Sequence, residues 1–335
     1  MRLLSVRRIL LPFAAALVAL ALAACHHENP ANIAGGSTPD AIVTESAQLL
    51  KNNNVAGFWK HNLPPADYAT MRADWSKLKL EHHPITAAQR AQFARSMQQL
   101  TAPGAETKLY AELQPKLTLL EKQYKDQVPV MIGIGQAIVG TGIAQSKSLS
   151  EAEKQQANAV LAAVLPWAKQ APWFDQAKAK QAIDVLVATA RQLDLKDPDE
   201  LRSLDFDAAM SKYAQAFGGI KQLLAIYGLS IDDMLDTVKA STVSMEHGYA
   251  TVQVTYTLLG TPLSANVRME LIDGRWYDAA LVADVRKAHQ QLLQQQAAAA
   301  KAASSAPAAA ASVAPAKPAS APAPAATAAG KPTGH

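Results

Sequence analysis

Tyr249–Ile272 reads YATVQVTYTLLGTPLSANVRMELI, and its alternation decides the fold class. In the first half Ala250, Val252, Val254, Tyr256 and Leu258 alternate with Thr251, Gln253, Thr255 and Thr257. In the second half Leu263, Ala265, Val267, Met269 and Leu271 alternate with Ser264, Asn266, Arg268 and Glu270. Successive side chains of a strand point to opposite faces, so this period describes strands with one wet and one buried face. His247-Gly248 and Asp273-Gly274 have the composition of two-residue hairpin turns, and Gly260-Thr261-Pro262 supplies a third turn. The pattern predicts a four-stranded antiparallel meander over 241–246, 249–259, 263–272 and 275–280. A sheet with one apolar face needs a cover, and helices must supply it.

The helices lie upstream. Thr38-Pro39-Asp40 reads as the start of the first one, with a capping hydroxyl, a proline at the first helical position and an acid in the first turn. Ile42, Val43, Leu49 and Leu50 give it an apolar side, and Asn52-Asn53-Asn54 stop it. A short helix carries Val55, Phe58 and Trp59, and Pro64-Pro65 open another bearing Tyr68, Met71 and Trp75. From about residue 86 to 238 the pattern is helical almost throughout. Thr86 with Gln89, and Ser150 with Glu153, have capping-box spacing, Asp197-Pro198 starts a further helix, and Gly228 reads as a C-cap. Pro115, Pro129, Pro166 and Pro172 mark kinks or breaks. The fold class is therefore α+β and mainly helical: a multi-helix body over 39–296 with a C-terminal four-stranded antiparallel meander, then a tail. A Gln-rich helix is expected over 281–296. The Ala/Pro/Lys-rich stretch 297–335 has almost no large apolar residue to offset its ordering entropy, so it is expected to be disordered.

The N-terminus reads MRLLSVRRILLPFAAALVALALAAC. Arg2, Arg7 and Arg8 precede an uncharged apolar run, Ile9 to Ala24, that is shorter than the roughly 20 residues of a membrane-spanning helix. A basic start and a short apolar core describe a secretory signal over residues 1–24. Its end, Leu22-Ala23-Ala24-Cys25, resembles the lipobox of bacterial lipoproteins. The resemblance implies cleavage between Ala24 and Cys25, a diacylglyceryl thioether on the Cys25 sulfur and an acylated amino end. One acyl chain anchors only marginally, at ~0.8 kcal/mol per buried methylene, and two or three make the attachment stable. His26 stands where an acid often signals inner-membrane retention in such lipoproteins, so the resemblance points to the outer membrane, facing the periplasm. Residues 25–38 read as a polar, Gly-rich tether. Cys25 is the single cysteine, which excludes disulfides and a CxxC metal site.

A net charge of +4 suggests nucleic acid until its distribution is considered. The leader holds three Arg without an acid, and the stretch after Gln296 holds Lys301, Lys317 and Lys331 without an acid. The intervening body is left at about −2, with no basic face to release phosphate counterions.

A second, weaker resemblance rests on AIVTESAQLLKNNNVAGFW and HGYATVQVTYTLLGTPLSANVRMELIDGRWYDAAL, within residues 40–60 and 241–281. These resemble NTF2-like or cystatin-like secreted domains, in which a curved sheet wraps a helix and encloses a cone-shaped cavity. The chain departs from that pattern in the long helical stretch between the two segments.

Candidate sites are few. His26-His27-Glu28 lie on the tether, and Glu81-His82-His83-Pro84 before a capped helix; neither has the spacing of a metal motif. Trp75, Trp167, Trp173 and Trp276 read as core. Asp205, Asp207, Asp232 and Asp233 sit at helix starts, where acids satisfy free N–H groups. The uncharged, glycine-broken run VPVMIGIGQAIVGTGIAQ, residues 128–145, reads either as a core helix packed closely through its glycines or as a membrane-contacting helix, and the core reading is preferred. Neither a catalytic residue nor a cofactor is assigned. The expected function is that of a lipid-anchored, non-enzymatic binding protein with a membrane and an envelope protein as partners. The alternatives are an enzyme or small-ligand binder with an NTF2-like cavity, whose catalysis would need a buried acid or His where the sheet's apolar face offers Val252, Val254, Val267 and Met269, and a spacer acting through its tail.

Overall fold

Residues 32–78 and 85–305 are described by a computed structural model of the chain. Its helices are α1 (Ala41–Lys51), α2 (Val55–Asn62), α3 (Pro65–Leu78), α4 (Ala87–Thr101), α5 (Ala105–Tyr124), α6 (Val128–Ala144), α7 (Glu151–Gln170), α8 (Gln176–Leu193), α9 (Glu200–Ser203), α10 (Phe206–Ile226), α11 (Ile231–Asp236) and α12 (Ala279–Ser305). A 3-10 turn, Lys125–Gln127, joins α5 to α6. The strands β1 (Lys239–Glu246), β2 (Tyr249–Leu258), β3 (Thr261–Ile272) and β4 (Arg275–Asp278) form one antiparallel sheet in the order β1-β2-β3-β4. The described residues up to Leu292 make one compact unit; those from Leu293 make a second, and that unit holds the remainder of α12.

The meander follows its turns. His247-Gly248, Leu259-Gly260 and Asp273-Gly274 each place two residues in the left-handed region, at φ of 50 and 81, 52 and 79, and 50 and 77°. That geometry matches the twist of the flanking strands. The middle turn is therefore Leu259-Gly260, not Gly260-Thr261-Pro262, and Thr261 and Pro262 belong to β3, paired with Leu258 and Thr257. The sheet also begins two residues earlier than expected, at Lys239, and β4 gives way to α12 after Asp278, whose carboxylate accepts the Leu281 N–H at 2.9 Å. Continuous helix runs to Ser305, so the boundary expected at 297 moves outward: alanine-rich sequence is a good helix former even without a core to join.

The inner face of β2 is the centre of the fold. Val252 and Val254 are fully buried against Ile42, Val43, Leu49 and Leu50 of α1, Phe58 of α2 and Ala163 of α7. Side chains buried to this degree contribute roughly 1.5–3 kcal/mol each. β3 is only half covered: Met269 is buried, whereas Leu263, Ala265 and Val267 are partly exposed and Leu271 is exposed. The helical cover is narrower than the sheet. Smaller clusters join α2 and α3 to α10 through Val55, Phe206 and Met210, and join α5 to α8 through Ala105, Ile183 and Val187.

Helix ends follow local chemistry. Thr86–Gln89 and Ser150–Glu153 close as reciprocal capping boxes on α4 and α7. Gly228, at φ +94°, ends α10, with the Leu229 N–H donating back to Leu224 O. The first helix starts later than expected. Asp40 is its N-cap residue, while the Thr38 hydroxyl still accepts the Ala41 N–H at 3.3 Å. Asp197-Pro198 leads only to the single turn α9. Pro115 and Pro166 sit inside α5 and α7, which run through them. The expected tether is also shorter. The Gly35 N–H donates to His61 O at 2.7 Å, and Gly36 pairs with Trp276 at the β4 edge, so these residues are part of the fold.

Candidate functional site

The lipobox residues Leu22, Ala23, Ala24 and Cys25, the His26-His27-Glu28 group and the Glu81-His82-His83-Pro84 group lie outside the described residues. The tryptophans serve packing. Trp75 Nε1 donates to Leu204 O at 3.1 Å, Trp167 Nε1 to Tyr227 O at 2.8 Å and Trp173 Nε1 to Ala168 O at 2.7 Å, while Trp276, on β4, is buried in the main core. Of the four acids, Asp205 caps α10 by accepting the Ala208 N–H. Asp207 instead pairs through both oxygens with Arg72, which holds its carboxyl below the usual carboxylate range. Asp232 takes the buried Lys221 ammonium, and Asp233 follows a cap supplied by Ser230. Asp205, Asp207 and Asp232 are thus occupied by structural partners.

The inner face of β2 was the candidate wall for a cone-shaped cavity. Its side chains meet α1, α2 and α7 directly, and Tyr256 hydroxyl accepts from Gln156 Nε2 at 2.7 Å. Burial raises the Tyr256 pKa, so this phenol stays neutral.

Two polar arrangements escaped sequence reasoning because their members are distant in the chain. His61, almost wholly buried, donates from Nδ1 to Ile33 O at 2.7 Å, which leaves Nε2 facing Glu45 Oε2 at 3.1 Å. Beside it Ser46 and Asn62 bond each other, and Asn62 also donates to Phe58 O. The imidazole thus fixes the N-terminal segment on α1 and α2 and is shielded from solvent. The second is Asp74 on α3, which takes His289 Nδ1 at 2.5 Å and Lys77 at 3.0 Å, while Asp67 takes Arg286. Together they bind the first half of α12 to α3. Among the described residues no three or more His, Cys, Asp or Glu are grouped as metal ligands.

The feature that stands apart is apolar. The preferred reading of 128–145 as core is overturned: no residue of α6 is buried. Val130, Met131, Ile134, Ile138 and Val139 are exposed, Ile138 at 69% and Val130 at 64%. The strip continues back along α5 through Leu119, Leu120 and Tyr124. Pro129 sits in the first turn of α6, where its missing N–H has no intrahelical partner to lose. One side of α6 packs along α7, and α7 in turn packs on β2 and β3, so α6 forms an outer layer. Three of its glycines are not there for close packing within this fold: a Cβ added at Gly133, Gly135 or Gly140 would meet nothing within 4 Å. Ala105 to Ala144 form one helical run long and apolar enough to cross a membrane by length and composition, and its apolar window has no buried residue. Folded proteins rarely leave large contiguous apolar patches to water, and such patches mark contact surfaces.

No protein-family model, curated protein or solved structure matches this chain.

Proposed function

We propose that this chain is a lipid-anchored protein of the bacterial cell envelope that acts by binding rather than by catalysis, held on the outer membrane and facing the periplasm. The observation that carries the reading is the leader, in which Leu22-Ala23-Ala24 precede the single cysteine of the chain. Two features support the binding half. Among the described residues, Asp67, Asp74, Asp205, Asp207, Asp232, His61 and His289 are engaged in a cap, ion pairs and a buried carbonyl contact. Leu119, Leu120 and Tyr124 of α5 and Val130, Met131, Ile134, Ile138 and Val139 of α6, by contrast, lack cover.

Mass spectrometry of the protein from its native host tests the anchor. The expected species begins at Cys25 and carries a diacylglyceryl thioether, and Cys25→Ser abolishes that species. An intact leader or an unmodified thiol at Cys25 in the wild type would overturn the assignment. Affinity recovery from detergent-solubilised envelopes tests the protein-partner part: a specific, saturable partner is expected, and its repeated absence counts against it.

A further inference from the structure

We infer that the exposed apolar strip of α5 and α6 seats in the hydrocarbon of the bilayer as a second, non-covalent membrane contact, lying in the membrane plane. The inference rests on the lipid-anchored reading and names the partner of its binding surface.

The strip has the wrong chemistry for water and for a typical protein groove. No ionisable side chain lies between Asp126 and Lys147. A helix that docks in a groove presents one apolar stripe and keeps a polar back. Within α6 the only polar side chains are Gln136 and Thr141. A helix that is apolar all round is at home in a protein core or in lipid. α7 covers one side of it, and the exposed side carries Val130, Met131, Ile134 and Ile138. Hydrocarbon satisfies such a surface without requiring a shape match.

The flanks fit that environment. Lys122, Tyr124 and Lys125 precede the uncharged run, and Lys147 follows it. Aromatic and long basic side chains sit at headgroup level, with their stems in the apolar layer. The geometry favours lying in the plane over crossing it. α6 does not stand alone, since it packs along α7. Its packing partner α7 begins Glu151-Ala152-Glu153-Lys154, charges that would have to cross with it.

The anchor supplies proximity. Because Ile33, Ala34, Gly35 and Gly36 are bonded into the fold, only the eight residues from Cys25 to Asn32 separate the lipid from the body, and they span at most about 29 Å. A body held so close to the leaflet meets it repeatedly, and a modest apolar surface then suffices for engagement.

The lipidated full chain in phosphatidylethanolamine–phosphatidylglycerol vesicles tests this. The thioether would cap the only native cysteine, so Ile134→Cys or Ile138→Cys carries the single free thiol for an environment-sensitive fluorophore. Gln253→Cys, on the wet face of β2, is the control. All three positions are exposed or polar-facing, and circular dichroism verifies that each variant keeps the helical body. The expected result is a blue shift at 134 and 138 and quenching there by chain-labelled lipid, with neither effect at 253. Emission at 134 and 138 that matches the control overturns the inference. So does disulfide pairing of two chains through either introduced thiol without lipid quenching, which would assign the strip to a second copy. Labelling of the parent chain at Cys25 sinks the anchor separately; the quenching readout then judges the strip with the unlipidated chain added to the same vesicles.

Discussion

Gly36 and Trp276 exchange two backbone hydrogen bonds, Gly36 N–H to Trp276 O at 2.9 Å and Trp276 N–H to Gly36 O at 3.0 Å. The pair closes the β4 side of the sheet with a segment from the opposite end of the sequence. A Cβ at Gly36 would lie 2.5 Å from the Ile42 backbone nitrogen, which cannot move without shifting α1. Gly36→Ala is therefore expected to cost about 1–3 kcal/mol, as overpacking of a tight site does. Gly133→Ala meets open space on α6 and should stabilise by up to ~1 kcal/mol through helix propensity. Urea midpoints of the two variants should move in opposite directions; movement in the same direction would refute the placement of one of them.

Gln156 and Tyr256 make a buried bond between α7 and β2. Tyr256→Phe leaves the Gln156 amide without its acceptor, and a loss of about 1–3 kcal/mol is expected. Adding Gln156→Leu removes the stranded donor and should return a large part of that loss. A double-mutant cycle by chemical denaturation measures this, and simple additivity would show that the bond is not made.

Asp278 caps α12, and loss of solvent around its half-buried side chain raises the carboxyl pKa above the ordinary carboxylate value, with Asp284 and Glu153 adding repulsion. A carboxyl whose folded pKa is raised favours the folded state below its unfolded pKa, near 3.9, and that benefit is lost as pH rises through the folded value. Asp278→Asn keeps an equally good cap without the charge. The variant should show a flatter stability profile from about pH 4 upward and a higher urea midpoint than wild type at about pH 7. A lower midpoint for the variant at neutral pH would refute this account.

Met269 and Met245 test which part of the sheet is covered. Met269 on β3 is buried, whereas Met245 on β1 is 61% exposed. Met269→Ala should cost about 2–5 kcal/mol and Met245→Ala no more than about 0.5 kcal/mol. Equal effects on the thermal midpoint would mean that the helical cover extends over β1.

Much of this architecture was legible because it is locally encoded. Alternation located the strands, turn residues located the hairpins, and the Thr86–Gln89 and Ser150–Glu153 spacings located two helix starts. What stayed hidden depends on partners far away in sequence. Nothing near Gly36 announces Trp276, and nothing near His61 announces Ile33 or Glu45. The half-covered face of β3 and the bare α6 have the same origin. Apolarity states what a segment prefers to touch, and tertiary packing decides whether anything reaches it. An uncharged run such as 128–145 reads alike in a core and beside lipid, so only its exposure separates the two.

The register between β1 and β2 slips between Thr242 and Ser244, with Val243 as the extra residue, and the Thr242 hydroxyl is held by Asp40. This irregularity falls on the outer strand, where a straight run of free amides and carbonyls would template the addition of another chain. A bulge breaks that run and increases its twist. At high local concentration such an edge deters one chain from adding to the next strand by strand, which guards the protein against fibril-like growth.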